Sequence, residues 1–300
     1  MKRSSKISLL IFILIWNCTI KAQFRFEREI VPQSVREGVQ FNAISVNEFD
    51  DIYLLESKFS EVYRLDQNGN ILNRNGGFGW GLGQFDCPRD LCFSGLDVIV
   101  ADQNNHRLVR YDRQLNYIAT QDLRSDSRRL IYPMSLTASQ INELFILSGE
   151  TAEILRLYVE KNEQTWFGGI EYGVYALVHP VSLRINRKGI LTVLQEDGSL
   201  VQFDRFGTPL GLIPFHNSKI NKCKAYGLTA VNNDWLILID QTPFLRMFYT
   251  KSKIWGEPTL TDFDRLEPFI ATTFSNNRLY LLTSNCTILV FSMETSQSKP

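Results

Sequence analysis

Three hundred residues allow one or two domains. An apolar share of 44% against 21% charged residues excludes a disordered chain and demands a sizeable core. The 32 basic and 32 acidic side chains cancel, so the chain has no general attraction to nucleic acid or anionic lipid.

The chain begins with a basic stretch, MKRSSK, then an apolar run, ISLLIFILIW (7–16), then NCTIKA, which ends on the small residue Ala22 ahead of Gln23. This is the pattern of a secretory signal peptide. Ten apolar residues reach about half of the ~20 that a membrane span needs. Cys18 comes after Ile15-Trp16-Asn17, which suits lipidation badly. The expected layout is a signal at 1–22, a folded body at 23–292 and a loose tail at 293–300. The protein is then exported, periplasmic or extracellular, with no membrane span once the signal is gone. The mature chain keeps 28 basic and 32 acidic groups.

FRFEREIV (24–31) alternates aromatic and charged residues, as a strand does. Six hairpin-like segments come after it: DIYLLESKFSEVYRLD (51–66), DVIVADQNNHRLVRYD (97–112), ELFILSGETAEILRLY (143–158), ILTVLQEDGSLVQFD (190–204), WLILIDQTPFLRMFY (235–249) and RLYLLTSNCTILVFS (278–292). Each is a short apolar run, a polar turn and a second alternating run. The first runs start at Ile52, Val98, Leu144, Leu191, Leu236 and Leu279, in steps of 46, 46, 47, 45 and 43. Each run ends on a polar residue (Glu56, Asp102, Ser148, Gln195, Asp240 or Thr283) whose side chain can bond turn amides. A further strand precedes each hairpin, anchored at Ile44, Leu91, Leu136, Leu183, Leu228 and Thr272, and a looser one succeeds it.

Four strands in ~45 residues would leave two apolar faces wet, and radial packing of several such sheets buries both. The expected fold is all-β: a six-bladed β-propeller of four-stranded antiparallel blades. The last unit lacks its outer strand, so residues 24–31 are expected to supply it and close the ring.

The glycine-rich stretch GGFGWGLGQFDCP, Gly76 to Pro88, could be taken for a phosphate cradle. It lacks the G-x-G-x-x-G spacing and leads through Pro88 into a strand rather than a helix. Together with residues 89–112, it resembles an NHL repeat: Gly83-Gln84-Phe85, Pro88, Val100-Ala101-Asp102, Asn105-His106-Arg107 and Asp112 stand where that family has its motif. Pro133 and Pro180 repeat the Pro, and Asp240 repeats the Asp. The resemblance implies that the glycines are backbone devices, that Asp102 and Arg107 pair within a turn, and that ligands meet the mouth of the central channel.

The rim of that mouth is expected at Gln40, Cys87, Tyr132, His179, Lys224 and Glu267. The column two residues on is Asn42, Arg89, Met134, Val181, Tyr226 and Phe269, with one residue of slack, and Asp90 is the lone acid of the next. Peptide-amidating lyases with this kind of repeat hold zinc with several His. Here only His179 belongs to the rim, since His106 lies in a turn and His216 in a looser segment. For calcium, Glu267, Asp90 and Asn42 make a thin set for an ion that takes ~6–8 oxygens. No cofactor is expected; Ca or Zn is the weaker alternative. Tyr132, His179, Lys224 and Glu267 can titrate and could serve an acid/base step, although Lys224 and Glu267 can also pair, and a polar rim that hydrates the mouth explains all four.

Arg107, Arg110, Arg113 and Arg124 to Arg129 are interleaved with Asp112, Asp122 and Asp126, which reads as a solvated loop and not as a nucleic-acid surface. Trp80, Trp166 and Trp255 recur beside glycines, where packing between blades is expected and stacking of a sugar or peptide is the alternative. Cys87, Cys92, Cys223 and Cys286 remain in the mature chain. Cys87 and Cys92 are ~16 Å apart if extended, too far to bond. Cys92 reads as buried, and Cys223 with Cys286 is the pair to expect if one forms. The function expected is that of an exported, non-catalytic propeller that binds a protein, peptide or glycan at one face, or serves as a scaffold. The alternative is a lyase or hydrolase acting at the channel mouth.

Overall fold

The computed structural model describes residues 22–124, 131–158, 163–215, 224–239, 245–265 and 267–294. Apart from one 3-10 segment, Ile170–Tyr175, the regular structure of these residues is β. Blades one to five are antiparallel sheets with their strands in sequence order. Blade one takes Phe41–Val46, Ile52–Glu56, Glu61–Leu65 and Ile71–Gly76. The inner strands of blades two to six are Pro88–Ser94, Pro133–Ala138, Pro180–Ile185, Ala225–Val231 and Phe269–Ser275. The repeat seen in the sequence is the register of the sheets: Ile44 pairs with Leu54, Leu91 with Val100, Leu136 with Ile146, Leu183 with Val193, Leu228 with Ile237 and Thr272 with Leu281.

The outer strand of blade six is Gln23–Ile30, antiparallel to Ile288–Glu294. A three-residue strand, Thr259–Thr261, adds to its free edge in parallel, so this blade has five strands. Ile288–Glu294 runs two residues past Ser292; residues 295–300, like most of the expected signal, lie outside the described part.

The apolar residues form six clusters, each between two neighbouring blades. One, between blades six and one, gathers Ile30, Phe41, Ile44 and Tyr63 with Tyr280 and Leu282. This is the burial of both sheet faces that the repeat required. Among the described residues no helix is long and apolar enough to cross a membrane.

Turns at the lower ends of the blades, where third strands pass to outer strands, share one device. The Oδ1 atoms of Asp66, Asp112 and Asp204 each accept from the amides two and four residues on, at 2.8–2.9 Å. Slight burial opposes ionisation of Asp112, but hydrogen bonds from the Asn116 side chain and from the Asn116 and Gln114 amides outweigh it and hold the carboxyl below its usual range. A depressed carboxyl stabilises the fold above its unfolded value, about pH 4, and that stabilisation is lost as pH falls through the folded one. Asp112→Ala is therefore expected to cost about 1 kcal/mol at neutral pH, with the deficit shrinking below about pH 4. Urea unfolding at a series of pH values checks both.

Among the described residues, the polar residues that end the second strands are buried, and three of them tie down the segments leading into the inner strands. The Glu56 carboxylate accepts from Gln40 N at 2.8 Å, Asp102 from Asp86 N at 2.7 Å, and Gln195 Oε1 from Val178 N at 2.5 Å. Asp240 lies outside the described residues.

Candidate functional site

Every inner strand carries a β-bulge at its second residue: the register slips between Phe41 and Ala43, Pro88 and Asp90, Pro133 and Ser135, Pro180 and Ser182, Ala225 and Gly227, and Phe269 and Ala271. A bulge frees one residue from the ladder and re-aims its side chain. The six freed residues, Asn42, Arg89, Met134, Val181, Tyr226 and Ile270, all line the upper half of the central channel, a cavity of about 390 Å³. The last of them is Ile270, where the sequence spacing suggested Phe269.

The next layer down holds Asp90, Ser135 and Ser182. Asp90 is 6% exposed. Its carboxylate accepts from Arg184 Nη1 at 2.9 Å and Nη2 at 3.3 Å, Ser135 Oγ at 2.6 Å, Leu136 N at 3.1 Å and Leu91 N at 2.9 Å. Blades two, three and four are thus joined at the channel wall. Arg184, Ile44 and Thr272 also line a second cavity below, of about 300 Å³, so they form the waist of the channel. Two polar atoms near it are buried without a hydrogen-bond partner, Asn42 Oδ1 and Thr272 Oγ1; Asn42 Nδ2 donates to Pro88 O at 3.0 Å.

Of the residues the sequence pointed to, Asn42, Arg89, Asp90, Met134, Val181 and Tyr226 line the upper cavity. Gln40, Cys87, Tyr132, His179 and Lys224 immediately precede the inner strands, and their side chains lie outside its lining. Glu267 is off register. Gln40 O accepts from Ser57 N, Cys87 O from Gln103 N, Tyr132 O from Gly149 N and His179 O from Glu196 N; in blade six the equivalent acceptor is Pro268 O, from Ser284 N. The shorter last step of the repeat places Pro268 in the column and Glu267 one residue before it.

Glu267 pairs with Arg265 at 3.5 Å rather than with Lys224. The Tyr132 ring stands edge-on to His106, with centroids 4.3 Å apart, and His106 Nδ1 lies 2.9 Å from Ile131 O. His179 is exposed. Among the described residues, no hydrogen bond or ion pair joins Tyr132, His179, Lys224 and Glu267, and no group of three or more His, Cys, Asp or Glu is disposed to hold a metal ion. The proposed calcium donors do not fit: Arg184 and Arg265 already engage the carboxylates of Asp90 and Glu267. His216 and Cys223 lie outside the described residues, so the Cys223–Cys286 pair has no structural counterpart here. Cys92 is half-buried and lines the lower cavity. Desolvation, with Asp90 adding to it, pushes its thiol up, out of the reactive range.

The glycine-rich segment is a built loop. Gly76 has φ +119, and a Cβ there would lie 2.5 Å from Ser60 O; Gly79 has φ +150, with Gln84 at 2.3 Å. Gly77 N donates to Ser60 O, Gly79 N to Phe85 O and Phe85 N to Gly77 O, and Gly81 N donates to Gln84 Oε1. These amides are engaged within the fold and present no anion cradle. Arg107 Nε donates to Asp102 Oδ2 at 2.7 Å, and its other nitrogens donate to the carbonyls of Trp80, Gly81 and Gln84 at 3.0, 3.1 and 2.8 Å. Asn105 Nδ2 donates to Gly79 O and Tyr111 Oη to Gly83 O. The N-H-R element is therefore a clamp on the loop.

What the clamp presents is apolar. Phe78, Trp80 and Leu82 are 70, 76 and 77% exposed, while Phe85 is buried. Trp80 thus departs from the packing expected of it. Trp166 and Trp255 do pack, the latter against Phe215 and Phe248 with Nε1 donating to Pro214 O. On the same face, in the connection from blade three to blade four, Ile170, Val174 and Val178 are also exposed. The described arginines of the interleaved stretch are paired or stacked: Arg110 with Asp97, Arg124 with Asp122, and Arg113 over the Phe49 ring at 4.5 Å; Arg128 and Arg129 lie outside the described residues.

The NHL repeat family matches residues 85–111, which lie in blade two. No curated protein matches the chain by sequence. Among solved structures, a catalytically inactive variant of virginiamycin B lyase from Staphylococcus aureus, with quinupristin, is similar at a TM-score of 0.61 and 12% identity, over 89% of this chain and 99% of that one. A streptogramin B lyase gives 0.62 at 12% identity, over 89% and 97%. U3-55K gives 0.60 at 11%, over 88% and 98%. At such identities the likeness is one of fold. The chain is thus a six-bladed β-propeller whose second blade matches the NHL repeat.

Proposed function

We propose that this chain is an exported, non-catalytic binding propeller that docks a protein or peptide on the face where outer strands pass to the next inner strands. The clamped loop Gly76–Phe85 carries the reading. It holds three large apolar side chains in water, where exposure is unfavourable. A mobile loop could fold them back onto the body; a rigid one keeps them available, and preorganised aromatic side chains are the usual anchors of an interface. Ile170, Val174 and Val178 add a second exposed apolar group on the same face. A glycan stacked on Trp80 is a narrower form of the same reading. The basic and apolar segments ahead of Gln23, where the first strand begins, support export.

Peptides selected on the immobilised protein, with a glycan array in parallel, provide the test. Selected ligands are expected to lose ~30-fold or more in affinity on Trp80→Ala and to keep it on His179→Ala. Ligands indifferent to combined alanine substitution of Phe78, Trp80 and Leu82 would sink the proposal. The second reading, a lyase or hydrolase using Tyr132, His179, Lys224 and Glu267 at the upper mouth, draws its support from the lyases that share the fold. Its mark is a turnover that His179→Ala or Lys224→Ala abolishes.

A further inference from the structure

The lower cavity opens on the opposite face, and one register layer contributes a residue from every blade to its wall. The fifth residue of each inner strand lines it, and four of these carry a hydroxyl: Ser45, Thr137, Thr229 and Thr273. In blade four the same position holds Arg184. Two residues beyond the end of that strand, in the turn to the second strand of the blade, Arg187 joins the wall. It is exposed and has no ion pair or hydrogen bond among the described residues.

The described residues place no carboxylate in this lining. Asp90, which neutralises Arg184, belongs to the layer above and lines only the upper cavity. At the waist, Thr272 is 4% exposed and its hydroxyl has no partner. The cavity therefore combines one uncompensated cation with a ring of hydroxyl donors. A cationic ligand would be repelled by Arg187, and a neutral one would gain nothing from its charge. An oxyanion accepts from the guanidinium and the hydroxyls together. Walls of low dielectric strengthen that attraction over what a lone surface arginine offers.

We infer that the lower mouth of the channel binds a small oxyanion, either a carboxylate or a sulfate- or phosphate-type group. Arg187 supplies the charge and the hydroxyls of Ser45, Thr137, Thr229 and Thr273 complete the shell. This site is separate from the proposed docking face and stands without it.

Isothermal titration of the signal-less protein at low ionic strength, with sodium phosphate, sulfate and acetate in turn, tests the site. Saturable one-site binding is expected, with a Kd of ~1 mM or tighter. Arg187→Gln is expected to weaken it at least ~10-fold and Thr273→Val ~3-fold, while Arg89→Gln at the upper mouth leaves it unchanged. A stronger response to phosphate and sulfate assigns a tetrahedral anion, and one to acetate assigns a carboxylate. The inference is overturned if none of the three saturates, if Arg187→Gln binds as well as the unaltered chain, or if Arg89→Gln is the variant that loses binding.

Discussion

Phe24→Ala is expected to lower the unfolding free energy by about 4 kcal/mol, although the residue stands in the first strand of the folded body. Phe24 is fully buried among Leu236, Met247, Leu289 and Phe291, in the cluster between blades five and six. Removing its ring opens a cavity in a shared core and loosens the outer strand of blade six at once. The same strand is held by Arg265 to Glu29 at 2.8 Å and Arg278 to Glu27 at 2.8 Å. These pairs are largely exposed and contribute ~1 kcal/mol or less each. Arg25→Ala, on the solvent side of the strand, is expected to be nearly neutral. Urea denaturation followed by tryptophan fluorescence distinguishes the two variants. A loss under about 1 kcal/mol for Phe24→Ala would mean that closure contributes little.

Asp90→Ala is expected to cost about 3 kcal/mol. The substitution strands the Arg184 guanidinium and removes the acceptor of the Ser135 hydroxyl and the Leu136 amide. Breaking a buried pair from one side typically costs ~3–5 kcal/mol; Arg184 touches both cavities and keeps access to water, which sets the lower end. In the double variant Asp90→Ala with Arg184→Met the uncompensated charge is gone, and part of the loss is expected to return. A double variant no more stable than Asp90→Ala alone would show that the pair acts through packing and not through charge.

The blades were legible because their signal is local and repeated. Apolar alternation, a polar residue at the end of each second strand and a Pro at the start of three inner strands recur at one period, and each marks a backbone requirement. The channel was less legible. The residues that precede the inner strands, from Gln40 to Lys224, fall outside the cavity, and in blade six the shorter approach puts Pro268 and Ile270 in the columns assigned from spacing to Glu267 and Phe269. The Asp90–Arg184 pair spans 94 residues, so no local pattern announces it. Only alignment of the six inner strands shows Arg184 as the lone cation in a column of hydroxyls and one thiol. Trp80 looked like Trp166 and Trp255 because all three sit beside glycine. Its exposure stems from the three carbonyls that Arg107 holds, a geometry that composition does not encode.

The ladder between Gln23–Ile30 and Ile288–Glu294 has a consequence for how the molecule is made. Ser292 Oγ and Arg25 O meet across 267 residues of chain. Synthesis runs from the N-terminus, so the first stretch of the body to emerge waits, unpaired, until the last has been delivered. Blades one to five can assemble in order from neighbouring sequence, but the circle locks only at the end. That makes the final docking event the slow one, and the waiting aromatic strand is the segment most in need of protection from a wrong partner meanwhile.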